Sequence, residues 1–538
     1  MGMKSKSIMI QGTSSSAGKS VLTAGFLRYF ANRGVNCSPF KSQNMSLNSF
    51  VTEDGSEIAV SQAVQSEAAF KKPLRQINPI LIKPSSDTEM HLILDGKHFG
   101  NMNFEEYNGK KRFFLKKASQ SFDFLTERNE LVIAEGAGSP AEINLYKYDI
   151  ANMGFAEIYN IPVILIADIE RGGVFASLYG TVKLLKPKWK KLVKGFIINK
   201  FRGNISILKP GIDEIEKRLK IPCAGVIPYI KNIHIEAEDS LNLKNYASLS
   251  DIYAENGGKI KIGIVRLEHI SNFNEFDPLF FDERFHTVFF DAVPIGEADK
   301  FDIIIIPGTK STASDLNRIK KSGIFDYIKR FEKLNKGIIL GICGGFQMMG
   351  DIIKDPYKLE SCKNSENLEA VGGFGFFGLE TILSDKKITV SRKYDFNGSF
   401  LNGYEIHNGR SFLKDAENVE FNRRQGVKGL SSFLFKHVND NSGGKCALEF
   451  SPKNEVLSLI SEDGRKIGTY VHGLFADKVF RDFLEDVMNK NNKNKNNKYV
   501  LPNNNRGYAD VKNESFNILA DNIEKYVDMK LFKEITRI

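Results

Sequence analysis

The stretch Gly12-Thr13-Ser14-Ser15-Ser16-Ala17-Gly18-Lys19-Ser20 constrains this chain more than any other. An apolar strand, Ile8-Met9-Ile10, runs into it, and an apolar-periodic helix over about Val21–Asn32 runs out of it. Strand, glycine-rich turn, Lys-Ser and helix is the arrangement that cradles phosphate: the turn points its N–H groups inward, and the helix start adds partial positive charge. Gly12, Thr13, Ser16, Ala17 and Gly18 are expected around the phosphates, with Lys19 reaching the terminal ones and Ser20 holding Mg²⁺. Five residues separate Gly12 and Gly18, one more than the usual spacing. The expected ligands are therefore ATP and Mg²⁺.

Strands and helices alternate over residues 1–230, which predicts an α/β fold with a doubly wound, mostly parallel sheet. Strand patterns occur near Cys37–Phe40, Asn78–Pro84, Leu131–Ala134, Pro162–Asp168, Gly195–Asn199 and Pro222–Val226. Such sheets bind ligands beyond their strand C-termini. Lys41, Ser42, Gln43 and Asn44 stand at one such end and are expected beside the transferred phosphate and the acceptor. Asp168 and Arg171 are expected in the same crevice. Glu135 closes another strand and is the expected Mg²⁺ partner of Ser20. A helix over Glu57–Phe70 offers Glu67 as a weaker second candidate for the metal.

The polar stretch 231–258 reads as a connector. A second doubly wound pattern covers 259–485. Within it, Gly341-Ile342-Cys343-Gly344-Gly345 has the form G-x-C-x-G where a strand meets a helix. That is a nucleophile elbow with sulfur in place of oxygen. Its strained turn exposes Cys343, and thiolate is the attacking species. His472, at the end of a later strand, is the candidate base. His407-Asn408-Gly409 reads more readily as a turn than as part of a site. Backbone N–H groups near Gly308 and Gly344 are expected to form an oxyanion hole, with Gln347 helping to hold the substrate. A P-loop and a Cys–His site on one chain imply a division of labour. One activates an acceptor with ATP, and the other releases a small nucleophile, for which glutamine amide hydrolysis fits.

Composition narrows the remaining classes. The five cysteines are odd in number and form no C-x-x-C, which argues against a disulfide framework and a cysteine-rich zinc site. No apolar run approaches the ~20 residues of a membrane span, and Met1–Ser7 is too short and polar for a signal peptide, so a cytoplasmic protein is expected. The net charge of +10 comes partly from the Asn/Lys-rich stretch 489–498, a solvated linker ahead of a helical tail within 486–538. No basic stripe interleaved with aromatics suggests nucleic acid. The oligomeric state is not legible.

At this resolution of motif the chain resembles the cobyric acid synthases, the glutamine-dependent amidotransferases of adenosylcobalamin biosynthesis. The resemblance rests on Gln11–Ser20, Pro39–Phe50, Asn78–Asp87, Glu135–Asn144, Asp168–Ala176 and Ile198–Gly203 in a unit similar to dethiobiotin-synthetase P-loop domains. In the second unit it rests on Ile270–Phe273, Pro307–Thr312, Gly341–Gly350, Gly403–His407 and Gly468–Phe475, similar to triad-type (class I) glutaminases. It spans about residues 5–485. It implies amidation of the b, d, e and g carboxylates of adenosylcobyrinic acid a,c-diamide, a corrinoid polycarboxylate, with one glutamine and one ATP per step. It also implies that Asn199 reads the adenine edge. Triad glutaminases usually carry Glu two residues after the histidine, but Leu474 stands there, so an orienting carboxylate must come from elsewhere or be lacking. Two alternatives are the a,c-diamide synthase acting earlier on the same ring and a P-loop regulatory ATPase fused to an inactive glutaminase-like domain. The Pro39–Phe50 and Ile198–Gly203 stretches favour the first reading over the former, and the intact Cys343 and His472 over the latter.

Overall fold

A computed structural model describes residues 6–84, 89–231, 233–236, 259–294, 300–360, 370–414, 436–437, 455–491 and 507–537. Most of the expected 231–258 connector and of the Asn/Lys-rich stretch lies outside the described residues. The chain divides into two compact units. One comprises 1–52, 56–238 and 510–538, and the other is essentially 239–509.

The first unit is built on six strands, all parallel. Across the sheet they run Cys223–Pro228, Val193–Phe201, Val163–Asp168, Lys6–Gly12, Leu131–Glu135, Cys37–Phe40. The central strands are continuous apolar runs because helices cover both faces. Their C-terminal ends gather Gly12, Glu135, Asp168 and Lys41 on one edge, the edge where such sheets hold ligands. A smaller sheet of Gln43–Met45, Ile80–Pro84, Glu89–Leu94 and Lys97–Asn103 extends the unit beside that edge. The expected helix over 57–70 begins late: Glu57–Ala59 pairs as a strand with Ser49–Val51, and the helix is Val60–Ala68.

The chain's last helices, Tyr508–Tyr526 and Met529–Thr536, complete this unit. Phe532 stacks on Phe26 with ring centroids 4.5 Å apart, behind the phosphate-loop helix. Lys512 donates to Glu67 Oε2 at 2.6 Å and Glu236 Oε1 at 2.7 Å. Replacing Lys512 by Met strands both carboxylates, one of them largely buried. We expect a loss of about 2–3 kcal/mol, below the upper range for a buried pair because Glu67 keeps some water. Trp189, the only tryptophan, is buried in this unit, and its fluorescence in a urea titration reads the effect. An unchanged midpoint refutes the expectation.

The second unit carries a six-stranded sheet in the order Phe285–Phe290, Ile260–Val265, Ile303–Ile306, Ile338–Ile342, Lys466–Thr469, Ser458–Ile460. Only the last pairing is antiparallel. A second sheet centres on the long antiparallel pair Leu379–Phe396 and Ser399–Leu413. His407-Asn408-Gly409 lies inside the latter strand rather than in a turn, because its backbone is committed to pairing with Leu383 and Ile388.

Candidate active sites

The phosphate loop has the expected form. Gly18 takes φ +100°, and a Cβ there would fall 2.1 Å from the Asn199 amide nitrogen, so only glycine fits. Asn199 donates to the Ala17 carbonyl at 3.0 Å, which sets it against the loop. Lys19 Nζ donates to the carbonyls of Ser14 and Gly138, each at 3.0 Å, folding over the loop as a clasp. Thr13 N–H bonds the Ile166 carbonyl at 2.9 Å, while Ser14, Ser15 and Ser16 form an exposed crest.

Glu135 is the hub of the strand edge. It is buried, and it accepts from Ser20 Oγ at 2.9 Å, Lys41 Nζ at 2.8 Å and Gln65 Nε2 at 2.5 Å. Ser20 and Glu135 thus meet, the pairing expected from the sequence, and Lys41 joins them through an ion pair the sequence reading did not foresee. Hydroxyl and carboxylate oxygens beside a phosphate loop suit a hard cation. Glu67 does not join them. Two residues further along the same helix than Gln65, it points to another side and is held by Lys512. Gln65 takes the place expected of Glu67, a signal available only from helix phase.

Ser42 donates to the Ile150 carbonyl at 2.6 Å, and Asn44 to Gln62 at 2.9 Å, so both brace the crevice wall. Gln43 Oε1 accepts from Tyr107 and Lys111. Asp168 is salt-bridged to Lys200 at 2.8 Å, and the same ammonium bonds the Ser16 carbonyl. Lys200 therefore ties the loop crest to the Asp168 strand end, a contact the sequence reading missed. Arg171 is exposed, outside these contacts.

In the second unit, Cys343 has φ 51° and ψ −107°, the strained elbow conformation, but it is buried rather than exposed as expected, because the strands and helix around it close over the turn. The helix Gly344–Met349 starts at once after it. Gly345 allows the turn, since a Cβ there would lie 1.9 Å from the Ile306 carbonyl oxygen. Gly308 closes the other side: a Cβ on it would be 3.2 Å from His472 Cε1 and 3.6 Å from Cys343 Cβ. Gly308, Gly344, Cys343 and His472 are thereby gathered at one point. Gln347 sits beneath, accepting from Thr312 Oγ1 at 3.2 Å and touching Tyr470.

The missing carboxylate is Glu275. Its Oε1 lies 3.0 Å from His472 Nδ1, and its Oε2 accepts the Gly473 N–H at 3.3 Å. Both side chains are almost wholly buried, and Tyr404 stacks on the imidazole with centroids 5.1 Å apart. Burial alone would lower the imidazole pKa. The Glu275 carboxylate and the Cys343 sulfur outweigh it and hold His472 up to about 10. Glu275 lies just past the Ile270–Phe273 motif, far from His472 in sequence, so spacing from the histidine could not find it. Glu360 lies on the far side of Thr312. Burial pushes its carboxyl up to about 7, against the Ala313 N–H that it accepts at 2.9 Å, beside Thr312.

Both units match known families. Residues 8–243 match the CobQ/CobB/MinD/ParA nucleotide binding domain, and 261–480 the CobB/CobQ-like glutamine amidotransferase domain. The cobyric acid synthase of Caldanaerobacter subterraneus subsp. tengcongensis is 39% identical to this chain, with 98% of each covered. The chain belongs to the cobyric acid synthase family. That of Clostridium novyi is 40% identical, covering 99% of this chain and 98% of its own. The probable cobyric acid synthase of Methanothermobacter thermautotrophicus is 39% identical, covering 99% of each. Membership makes the chain a glutamine-dependent amide ligase with a nucleotide-binding domain. Among the described residues no helix is long and apolar enough to cross a membrane.

Proposed function

We propose that the chain amidates the b, d, e and g carboxylates of adenosylcobyrinic acid a,c-diamide, giving cobyric acid, with ATP and glutamine consumed at each step. The observation that carries this reading is the buried Glu275–His472 pair beside Cys343, on a chain whose other unit bears the Lys19–Ser20–Glu135 cradle. In the first unit, the acceptor carboxylate attacks the γ-phosphorus of ATP, ADP leaves, and an acyl phosphate results. Ammonia then attacks the acyl carbon and phosphate departs. Lys19 neutralises charge on the transferring phosphoryl group, and Lys41, Ser42, Gln43 and Asn44 frame the acceptor side. Asp168 and Arg171 border the same crevice, and Asn199 contacts the base of the nucleotide. Ser20 and Glu135 would hold Mg²⁺, which when bound offsets phosphate charge.

In the second unit, Cys343 Sγ attacks the glutamine amide carbon. Backbone N–H groups at Gly308 and Gly344 receive the oxyanion, and Gln347 helps hold the substrate. His472, protonated at neutral pH, is the counter-charge of the attacking thiolate. It gives its proton to the leaving ammonia, and water returns one while hydrolysing the thioester to glutamate. Glu275 fixes the ring so that Nδ1 is bonded and Nε2 is turned to the reaction.

The decisive experiment supplies the protein with ATP, glutamine and adenosylcobyrinic acid a,c-diamide and follows product mass. Stepwise conversion to cobyric acid supports the reading. Amidation only of cobyrinic acid at a and c would instead assign the earlier enzyme.

Glu275→Gln should lower glutaminase kcat about 10²–10³-fold, since the imidazolium loses the carboxylate that stabilises its charge and orients its ring. The pH profile moves as well. His472 has a raised folded pKa, so its stabilising contribution is complete below about 6.5 and lost as pH approaches about 10. Without the carboxylate, the alkaline limb of activity should shift toward neutral pH. An unmoved limb and unaltered kcat would remove Glu275 from the site.

A further inference from the structure

Lys111, at the start of the helix Lys111–Thr126, belongs to none of the contacts that build the phosphate cradle. Its ammonium is half-buried over the Tyr107 ring, 4.3 Å from the centroid. Among the described residues its one hydrogen bond is a long one, 3.3 Å to Gln43 Oε1, which Tyr107 OH also donates to. The nearby carboxylate, Asp149, acts on it through space, while its oxygens are bonded to backbone N–H groups. Asp149 Oδ1 accepts the N–H groups of Ala151 and Asn152 at 2.9 and 2.7 Å, and Oδ2 that of Gly154 at 2.7 Å. Among the described residues no carboxylate is hydrogen-bonded to this half-buried cation, and desolvation of a cation costs less when a ligand supplies a directly bonded anion. Gln43 follows Lys41 by two residues and opens the first strand of the smaller sheet, Gln43–Met45.

We infer that Lys111, with Gln43 and Tyr107, is a second anion-recognition point of the acceptor crevice, binding a carboxylate of the polyanionic acceptor other than the one being activated. This rests on the proposed corrinoid acceptor. A flat polycarboxylate offers acid groups on several sides, so one of them can engage Lys111 while another meets Lys41. Gln43, its Oε1 occupied by two donors, keeps its amide N–H groups for the ligand. Burial lowers the Lys111 ammonium to about 8, against the pull of Asp149. Tyr107, pushed upward by burial, stays neutral throughout the accessible range.

The test is steady-state amidation of adenosylcobyrinic acid a,c-diamide by the full-length wild type, Lys111→Met and Lys111→Arg, with KM and kcat determined for the corrinoid and for ATP across pH 7–9. Lys111→Met should raise the corrinoid KM about tenfold at neutral pH and leave the ATP KM unchanged. In the wild type, the corrinoid KM should rise as pH passes about 8, where the ammonium is lost. In Lys111→Met it should be flat, and in Lys111→Arg low and flat, because guanidinium stays charged. An unchanged corrinoid KM in Lys111→Met, or an equal rise for ATP, overturns the inference while leaving the function intact. A wild type that does not amidate this corrinoid overturns both.

Discussion

Replacing Cys343 by Ser should abolish glutamine-driven amidation, by about 10³-fold or more, and leave amidation from ammonium salts near the wild-type rate. The loss is large for a reason specific to this site. A thiolate attacks with an imidazolium beside it, whereas a serine hydroxyl needs a neutral imidazole to take its proton. In the wild type, Glu275 at 3.0 Å and the Cys343 sulfur together hold His472 up to about 10, so the site is set for a thiolate–imidazolium pair rather than for a neutral base. Serine is therefore a poor replacement despite its similar shape, and the strained backbone of residue 343 can keep its conformation. The ammonia reaction survives because Lys19, Ser20 and Glu135, on which the acyl phosphate depends, belong to the first unit and Cys343 to the second. The paired assay runs the variant with ATP and the corrinoid, once with glutamine and once with ammonium at alkaline pH, where more free ammonia is present. Turnover with glutamine would show that Cys343 is not the nucleophile. A folded variant silent under both conditions would show that the two half-reactions are not separable.

What the sequence discloses here follows from how local each feature is. The phosphate loop is legible because its strand, turn and helix are contiguous, and Gly18 has a conformational reason to be glycine. Cys343 is legible because the elbow needs small neighbours, as the close approach at Gly345 bears out. Glu275 is not legible, since nothing near His472 in sequence announces a carboxylate that arrives from the opposite end of the unit. Leu474, at the position where one is usually sought, is instead core. The misjudged Glu67 is a failure of helical phase. Once the helix starts at Val60, Gln65 faces Glu135 and Glu67 faces Lys512. The long pair Leu379–Phe396 and Ser399–Leu413 escaped notice because its first strand runs through Ser384-Asp385-Lys386-Lys387, residues with weak strand preference. Its register shift at Leu383/Ile388 accommodates this interruption.

Lys19→Ala should stop amidation from either nitrogen source, about 10³-fold or more, and leave hydrolysis of glutamine to glutamate in place. Two losses combine. The ammonium no longer meets charge growing on the transferring phosphoryl oxygens. The clasp to the Ser14 and Gly138 carbonyls is also lost, so the loop no longer holds its shape across to the Glu135 strand end. Lys19→Arg separates the two. Its guanidinium keeps the charge, but its planar fork does not match a point charge seated between two carbonyls, so activity should return only in small part. Nucleotide affinity measured by titration calorimetry, beside amidation with ammonium, distinguishes a binding defect from a defect confined to the transition state. The same extract of each variant should release glutamate from glutamine at the wild-type rate when assayed without acceptor, because Cys343, His472 and Glu275 lie in the other unit. Wild-type amidation by Lys19→Ala would remove this lysine from phosphoryl transfer and return the loop to a purely structural role.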